Sequence, residues 1–255
     1  MQVLDYRLDR IVVIEAHPAT VFSFFTDSGR WARWWGAGST IDAAPGGRVL
    51  IRHPNGVEVI GEVLEIEAPD RLVFTYGYAA GTPIPENGSR VTIRLEAVAN
   101  GARLHLTHDF ADLIPREHHV QGWRYQLALF ANLIADVVNA DAPAVVDAWF
   151  AAWNEAQADA RPEAFARVAD AEVRFRDRYG FTSGLDDLLG HVAAVHQFMR
   201  GLQMRREGNV RHCQGRALSD WVALGAHGTP RAKGTNVFAF GPDGRIADVT
   251  GFWAQ

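Results

Sequence analysis

The residues best suited to chemistry lie in the second half of this 255-residue chain, where Val173, Phe175, Asp177 and Tyr179 alternate along a strand-like run. Alternate residues of a strand share a face, so an apolar face here ends in a carboxylate, with Arg174, Arg176 and Arg178 opposite. A carboxyl group withdrawn from water is suited to act as a general base in proton transfer. A structural reading competes: Asp177 pairs with a neighbouring arginine or caps the turn before Gly180. His196 is the second candidate, on a periodic stripe of Leu185, Leu188, Leu189, Val192, Val195 and Met199, with His191 assigned to the opposite side. It can serve as an acid or an orienting group near neutral pH, or as a core histidine bonded to a backbone carbonyl. Late strands add Asn236 and Asp248 as pocket groups, Asp248 being expected on one face with Ile246 and Phe252. Tyr179 is expected at a cavity mouth and Trp153 in its wall; solvated edge positions remain the alternative for Asn236 and Asp248.

In the first half, Leu104, Leu106, His108 and Phe110 share one parity, which brings His108 towards a cavity near Trp123. A structural hydrogen bond from His108 to the following helix is the competing reading. No base or nucleophile pairing stands out in this half. His118 and His119 are adjacent and are expected to diverge, while His105 and His108 fall on opposite strand faces. Cys213, the only cysteine, has no activating neighbour in sequence. There is no zinc-ligand spacing, phosphate loop, dinucleotide fingerprint or nucleophile elbow, so no metal and no cofactor are expected.

These candidates need two scaffolds. In the first, Arg10 to Glu15 reads as a strand and His17-Pro18 opens a short helix carrying Val21, Phe22 and Phe25. The aromatic knot Trp31, Trp34 and Trp35 follows. Strands are then punctuated by Pro45-Gly46-Gly47, Pro54-Asn55-Gly56, Pro69-Asp70 and Asn100-Gly101. A long helix closes this half, with Val120, Trp123, Leu127, Phe130, Ile134 and Val138 as its stripe. The pattern resets at residues 139–143, predicting domains at 1–139 and 143–255. The second half predicts a helix bearing Val146, Trp149, Phe150 and Trp153, a short helix from Pro162, a strand from Ala171, a helix from Gly184 to Met199, and closing strands with a turn at Pro242-Asp243-Gly244. Both halves are α+β: a curved antiparallel sheet around a long helix, then a cone with a bent sheet. Large residues at both parities, such as Phe252 beside Trp253, predict that both sheet faces are covered.

A net charge of −5 with no basic cluster argues against a nucleic-acid partner. The start of the chain lacks an apolar run, and the segment Leu127 to Val138, interrupted by Asn132 and Asp136, is too short for a bilayer. With a single cysteine, the expected location is cytoplasmic.

Ile14-Glu15-Ala16, Trp34-Trp35, Pro45-Gly46-Gly47, Arg71 to Tyr76, Leu104 to His108 and Gly122-Trp123 together resemble the START-like helix-grip (SRPBCC) superfamily, in its activator-of-heat-shock-protein-ATPase-like branch. Phe150 to Asn154, Ala169 to Val173, Gly244-Arg245-Ile246 and Phe252-Trp253 are similar to the nuclear-transport-factor-two-like superfamily, with its ketosteroid isomerases and polyketide cyclases. The second resemblance implies a conical cavity, a base near Asp177 and a homodimer through the sheet. Trp149 and Trp153 stand where an isomerase would need a tyrosine donor, which argues against a ketosteroid isomerase proper. The expected function is binding of a small apolar molecule, polyketide-, steroid- or terpenoid-like, with cofactor-independent isomerisation, dehydration or cyclisation. Non-catalytic binding or sensing, and a chaperone-associated interaction, remain open alternatives.

Overall fold

The structure, a computed structural model, describes residues 3–254. The chain forms two compact units, Met1–Ala135 and Asp136–Gln255. This division falls before the reset at 139–143, inside the last turn of the helix Leu113–Val138.

The first unit is a helix-grip domain. Its elements are β1 (Tyr6–Ile14), α1 (Pro18–Thr26), α2 (Ser28–Trp35), β2 (Thr40–Ile41), β3 (Arg48–Arg52), β4 (Glu58–Glu67), β5 (Arg71–Tyr78), β6 (Ser89–Val98), β7 (Gly101–Phe110) and α3 (Leu113–Val138). The strands form one antiparallel sheet in the order β1-β7-β6-β5-β4-β3-β2. Pro18 opens α1, where its missing N–H is not required. The aromatic knot is a helix: Asp27 caps α2 by accepting from the Arg30 N–H at 2.8 Å, and the i, i+3, i+4 spacing buries Trp31, Trp34 and Trp35 on one face. On α3 the buried face runs through Pro115, His119, Trp123 and Leu127, so His119 rather than Val120 continues the stripe.

The second unit is a cone-shaped α+β domain. It comprises α4 (Ala142–Asn154), α5 (Arg161–Ala166), β8 (Ala169–Arg176), β9 (Phe181–Ser183), α6 (Leu185–Phe198), β10 (Gln203–Cys213), β11 (Arg216–Leu224), β12 (Pro230–Phe240) and β13 (Ile246–Trp253). Sheet order is β10-β11-β12-β13-β8-β9, antiparallel except for the parallel β13–β8 pair. Trp149 and Phe150 of α4, Phe165 of α5 and Leu188 of α6 form a core with Phe238 and Val249 of the sheet. One irregularity has large effects. Asp248 pairs with Ala239, but Ile246 pairs with Phe240, so Ala247 is an extra residue on β13. Such a bulge reverses side-chain parity beyond it. Ile246 and Val249 therefore both point into the core, while Asp248 and Phe252 point out.

No single helix among the described residues is long and apolar enough to cross a membrane.

In the first sheet, β4 and β5 approach so closely at Gly61 that a Cβ there would lie 1.8 Å from the Thr75 carbonyl oxygen. Gly61→Ala should cost about 1–3 kcal/mol of stability through forced separation of the strands. Urea denaturation measures this, and an unchanged midpoint would refute the close approach.

Candidate functional site

The second unit contains a cavity of about 270 Å³ between the sheet and helices α4 and α6. Its walls are largely aromatic and aliphatic, including Trp149, Trp153, Trp221 and Trp253. Two glycines make the room. Gly234 pairs with Trp221 across β11–β12, and a Cβ there would meet the Trp221 ring at 2.6 Å. Gly251 pairs with Asn236 across β12–β13; a Cβ there would sit 3.1 Å from Asn236 Oδ1 and 3.2 Å from Asp177 Cβ. Asp177 and Asn236 thus flank the bare Cα of Gly251 on the cavity wall. Asn236 is only 4 % exposed, and among the described residues its amide makes no hydrogen bond. A buried amide without a protein partner has unused capacity for a ligand.

Asp177 lies just past β8, in the turn to β9. Its Oδ1 accepts from the backbone N–H of Tyr179 at 2.7 Å and of Gly180 at 3.0 Å. Its Oδ2 accepts from the Trp253 indole N–H at 3.1 Å. Three donors therefore compensate the carboxylate while it lines the cavity. The turn cap expected from sequence is present. The arginine partner is not: Arg174 and Arg176 pair with Asp248 at 3.2 and 3.3 Å. Asp248 is no cavity residue, because the bulge at Ala247 breaks the face it was expected to share with Ile246. Tyr179 is 60 % exposed at the rim, edge-on to Trp253 with ring centres 4.8 Å apart.

The two histidines of α6 exchange the places assigned from sequence. His196 does not line the cavity; its Nε2–H donates to the Trp153 carbonyl at 2.8 Å, tying α6 to α4. His191 does line it, between the rings of Phe175 and Trp153 at 5.6 and 5.9 Å. At 100° per residue, these histidines stand about 140° apart around the helix. The flank carrying His191, Ala194 and Phe198 faces the cavity, and Leu188 and Val192 between the flanks face the core.

The first unit has its own cavity of about 580 Å³, lined by Trp34, Trp35, His53, Tyr76, Tyr78 and Trp123 among others. His108 is fully buried behind it and is not in its wall. Trp123 Nε1–H donates to His108 Nδ1 at 3.0 Å. That nitrogen must accept, so the proton is on Nε2, which donates to Ser89 Oγ at 2.8 Å; Ser89 in turn donates to the Tyr76 carbonyl at 2.7 Å. His119, in the cavity wall, has the opposite tautomer. Its Nδ1–H donates to the Pro115 carbonyl at 2.7 Å, leaving Nε2 to accept from the Tyr78 hydroxyl at 3.2 Å. His118 also lines the cavity, so the adjacent histidines do not diverge from it. Burial pushes His108 well below the ordinary histidine range, with His119 adding to the effect. Burial also lowers His119 and His53 and raises the Tyr76 and Tyr78 hydroxyls. Tyr76 and Tyr78 share an inward strand parity, and His119 shares the helix face of Trp123; both signals were present in the sequence.

Among the described residues, no group of three or more His, Cys, Asp or Glu side chains is placed to hold a metal ion. Residues 15–135 match the family described as activator of Hsp90 ATPase homolog 1-like protein. Three solved structures are similar over about half of the chain. A SnoaL-like family structure from Agrobacterium tumefaciens is 22% identical, covering 44% of this chain and 96% of its own, with a TM-score of 0.43. An Aha1 dimer from Colwellia psychrerythraea is 17% identical, covering 48% and 90%, with a TM-score of 0.42. CalU16 from Micromonospora echinospora is 25% identical, covering 49% and 74%, with a TM-score of 0.40. No curated protein sequence matches the chain.

The lowered His108 and His119 link stability to pH. The native chain holds them neutral, so their contribution is complete above the unfolded value of 6.5 and is lost as pH falls towards the folded values. Each group then costs up to about 1.4 kcal/mol per pH unit. His108→Gln should be less stable at pH 7 and show a shallower fall between pH 7 and pH 5. Urea midpoints at both pH values check this; an unaltered slope would count against a buried neutral His108.

Proposed function

We propose that the second unit binds a small, largely apolar carbonyl compound and moves a proton on the carbon beside the carbonyl. Asp177 takes the proton, and the Asn236 amide donates to the oxygen where charge develops. The observation that carries this reading is that Asp177 and the unpartnered buried Asn236 amide flank the bare Cα of Gly251 on the cavity wall. A positioned general base contributes about 10²–10⁴ in rate, and one donor to a developing oxyanion about 10²–10³. The amide takes over the part for which α4 offers no tyrosine. Tryptophan walls exclude water, and His196 keeps Trp153 in position through its carbonyl. Cavity size favours one or two fused rings over a full steroid.

Binding without turnover is the second reading. It is favoured by the use of Asp177 Oδ1 as the cap of its own turn.

Deuterium uptake from D₂O into 2-tetralone, followed by mass spectrometry, separates the two. Wild type should accelerate exchange, Asp177→Asn should lower the rate by about 10²-fold or more, and Asn236→Leu by about 10²-fold. Calorimetric binding of 2-tetralone without accelerated exchange would establish the binding reading instead. Gly251→Ala, which places a methyl group between Asp177 and Asn236, should weaken 2-tetralone binding while leaving the melting temperature within a few degrees. Unchanged binding would show that the ligand does not reach this point.

A further inference from the structure

The two cavities differ in charge. The cavity of the second unit is lined by Asp177 and by no arginine or lysine. The cavity of the first unit is lined by Arg33, His53, His118 and His119, with no aspartate or glutamate among its described lining residues. Arg33 sits exposed in the last turn of α2, and among the described residues no carboxylate pairs with it. An arginine at the rim of an aromatic cavity, without an internal counter-ion, is available to an anionic ligand.

The walls specify the rest of that ligand. Trp34 and Trp35 lie 4.2 Å apart between ring centres, and Trp35 lies 5.6 Å from Trp123 and 5.8 Å from His53. These rings offer flat faces and edges for stacking a planar group. Among the deeper polar atoms, the Tyr78 hydroxyl donates to His119, whose N–H is held by Pro115, while the buried Trp35 indole N–H has no partner among the described residues. The Gln126 amide donates to the Trp34 carbonyl. Arg33 supplies positive charge at the rim, while the interior offers aromatic faces and the Trp35 indole donor. A volume of about 580 Å³ accommodates two or three fused or linked rings.

We propose that the cavity of the first unit takes an aromatic acid as its anion, the ring system lying against Trp35 and Trp123 and the carboxylate meeting Arg33 at the rim. This ligand differs in class from the neutral carbonyl compound assigned to the second unit, and the proposal does not depend on that assignment.

The test is isothermal titration of the full chain with 2-naphthoate and with its uncharged counterpart 2-naphthamide at pH 7.5. The acid should bind about tenfold more tightly than the amide. Arg33→Gln, at an exposed position, should abolish that preference, and Asp177→Asn should leave it intact. Equal or tighter binding of the amide overturns the proposal, as does absence of naphthoate binding. A preference that survives Arg33→Gln, or disappears with Asp177→Asn, places the acid elsewhere and overturns it too.

Discussion

The hydrogen bond from the Trp253 indole to Asp177 joins the last strand of the second unit to the turn after β8, across the wall of a cavity. A carboxylate among four tryptophans has to be compensated, because removing a charge from water is costly without donors. Two backbone N–H groups of its own turn supply the rest, so the chain positions Asp177 by local geometry and completes it by a long-range contact. The cavity, the turn and the final strand are therefore one arrangement. The same logic governs the first unit, where two chains of donors fix opposite tautomers on His108 and His119 and leave no buried imidazole charged.

In both units the polar groups that hold the interior together are spent on the protein itself. What is left over is sparse and local: the Asn236 amide and the indole N–H groups of Trp153 and Trp221 in one cavity, and the Trp35 indole N–H and the Arg33 guanidinium in the other. Such economy is the usual form of a small-molecule site, with many apolar contacts and few directional ones. The two cavities also differ in charge, one carrying Asp177 and the other Arg33.

Much of this was legible in sequence because it rests on period and parity. The apolar face of Val173, Phe175 and Asp177, the inward parity of His108 and the burial of Trp149 and Trp153 all follow from spacing. The misreadings share a cause, since each depends on something that spacing does not encode. His191 falls outside the stripe of Leu188 and Val192 because the two flanks of α6 meet different surroundings. His119 was lost because the stripe of α3 was started at Val120 instead of one turn before Trp123. Asp248 was misplaced by a bulge that leaves no composition signal.

That bulge has a consequence for how the chain tolerates changes in length. One surplus residue, Ala247, stands unpaired between Ile246, opposite Phe240, and Asp248, opposite Ala239, so the ladder keeps one phase on both sides of it. Deleting Ala247 would leave those pairings in place and turn the bulge into regular ladder, whereas deleting Thr250 would turn Gly251 and Trp253 out of the interior and Phe252 into it. An ordinary insertion in a loop costs little because the flanking strands keep their phase. The bulge shares that tolerance because its extra residue lies outside the pairing, so this strand can lose a residue at Ala247 far more readily than anywhere beyond it.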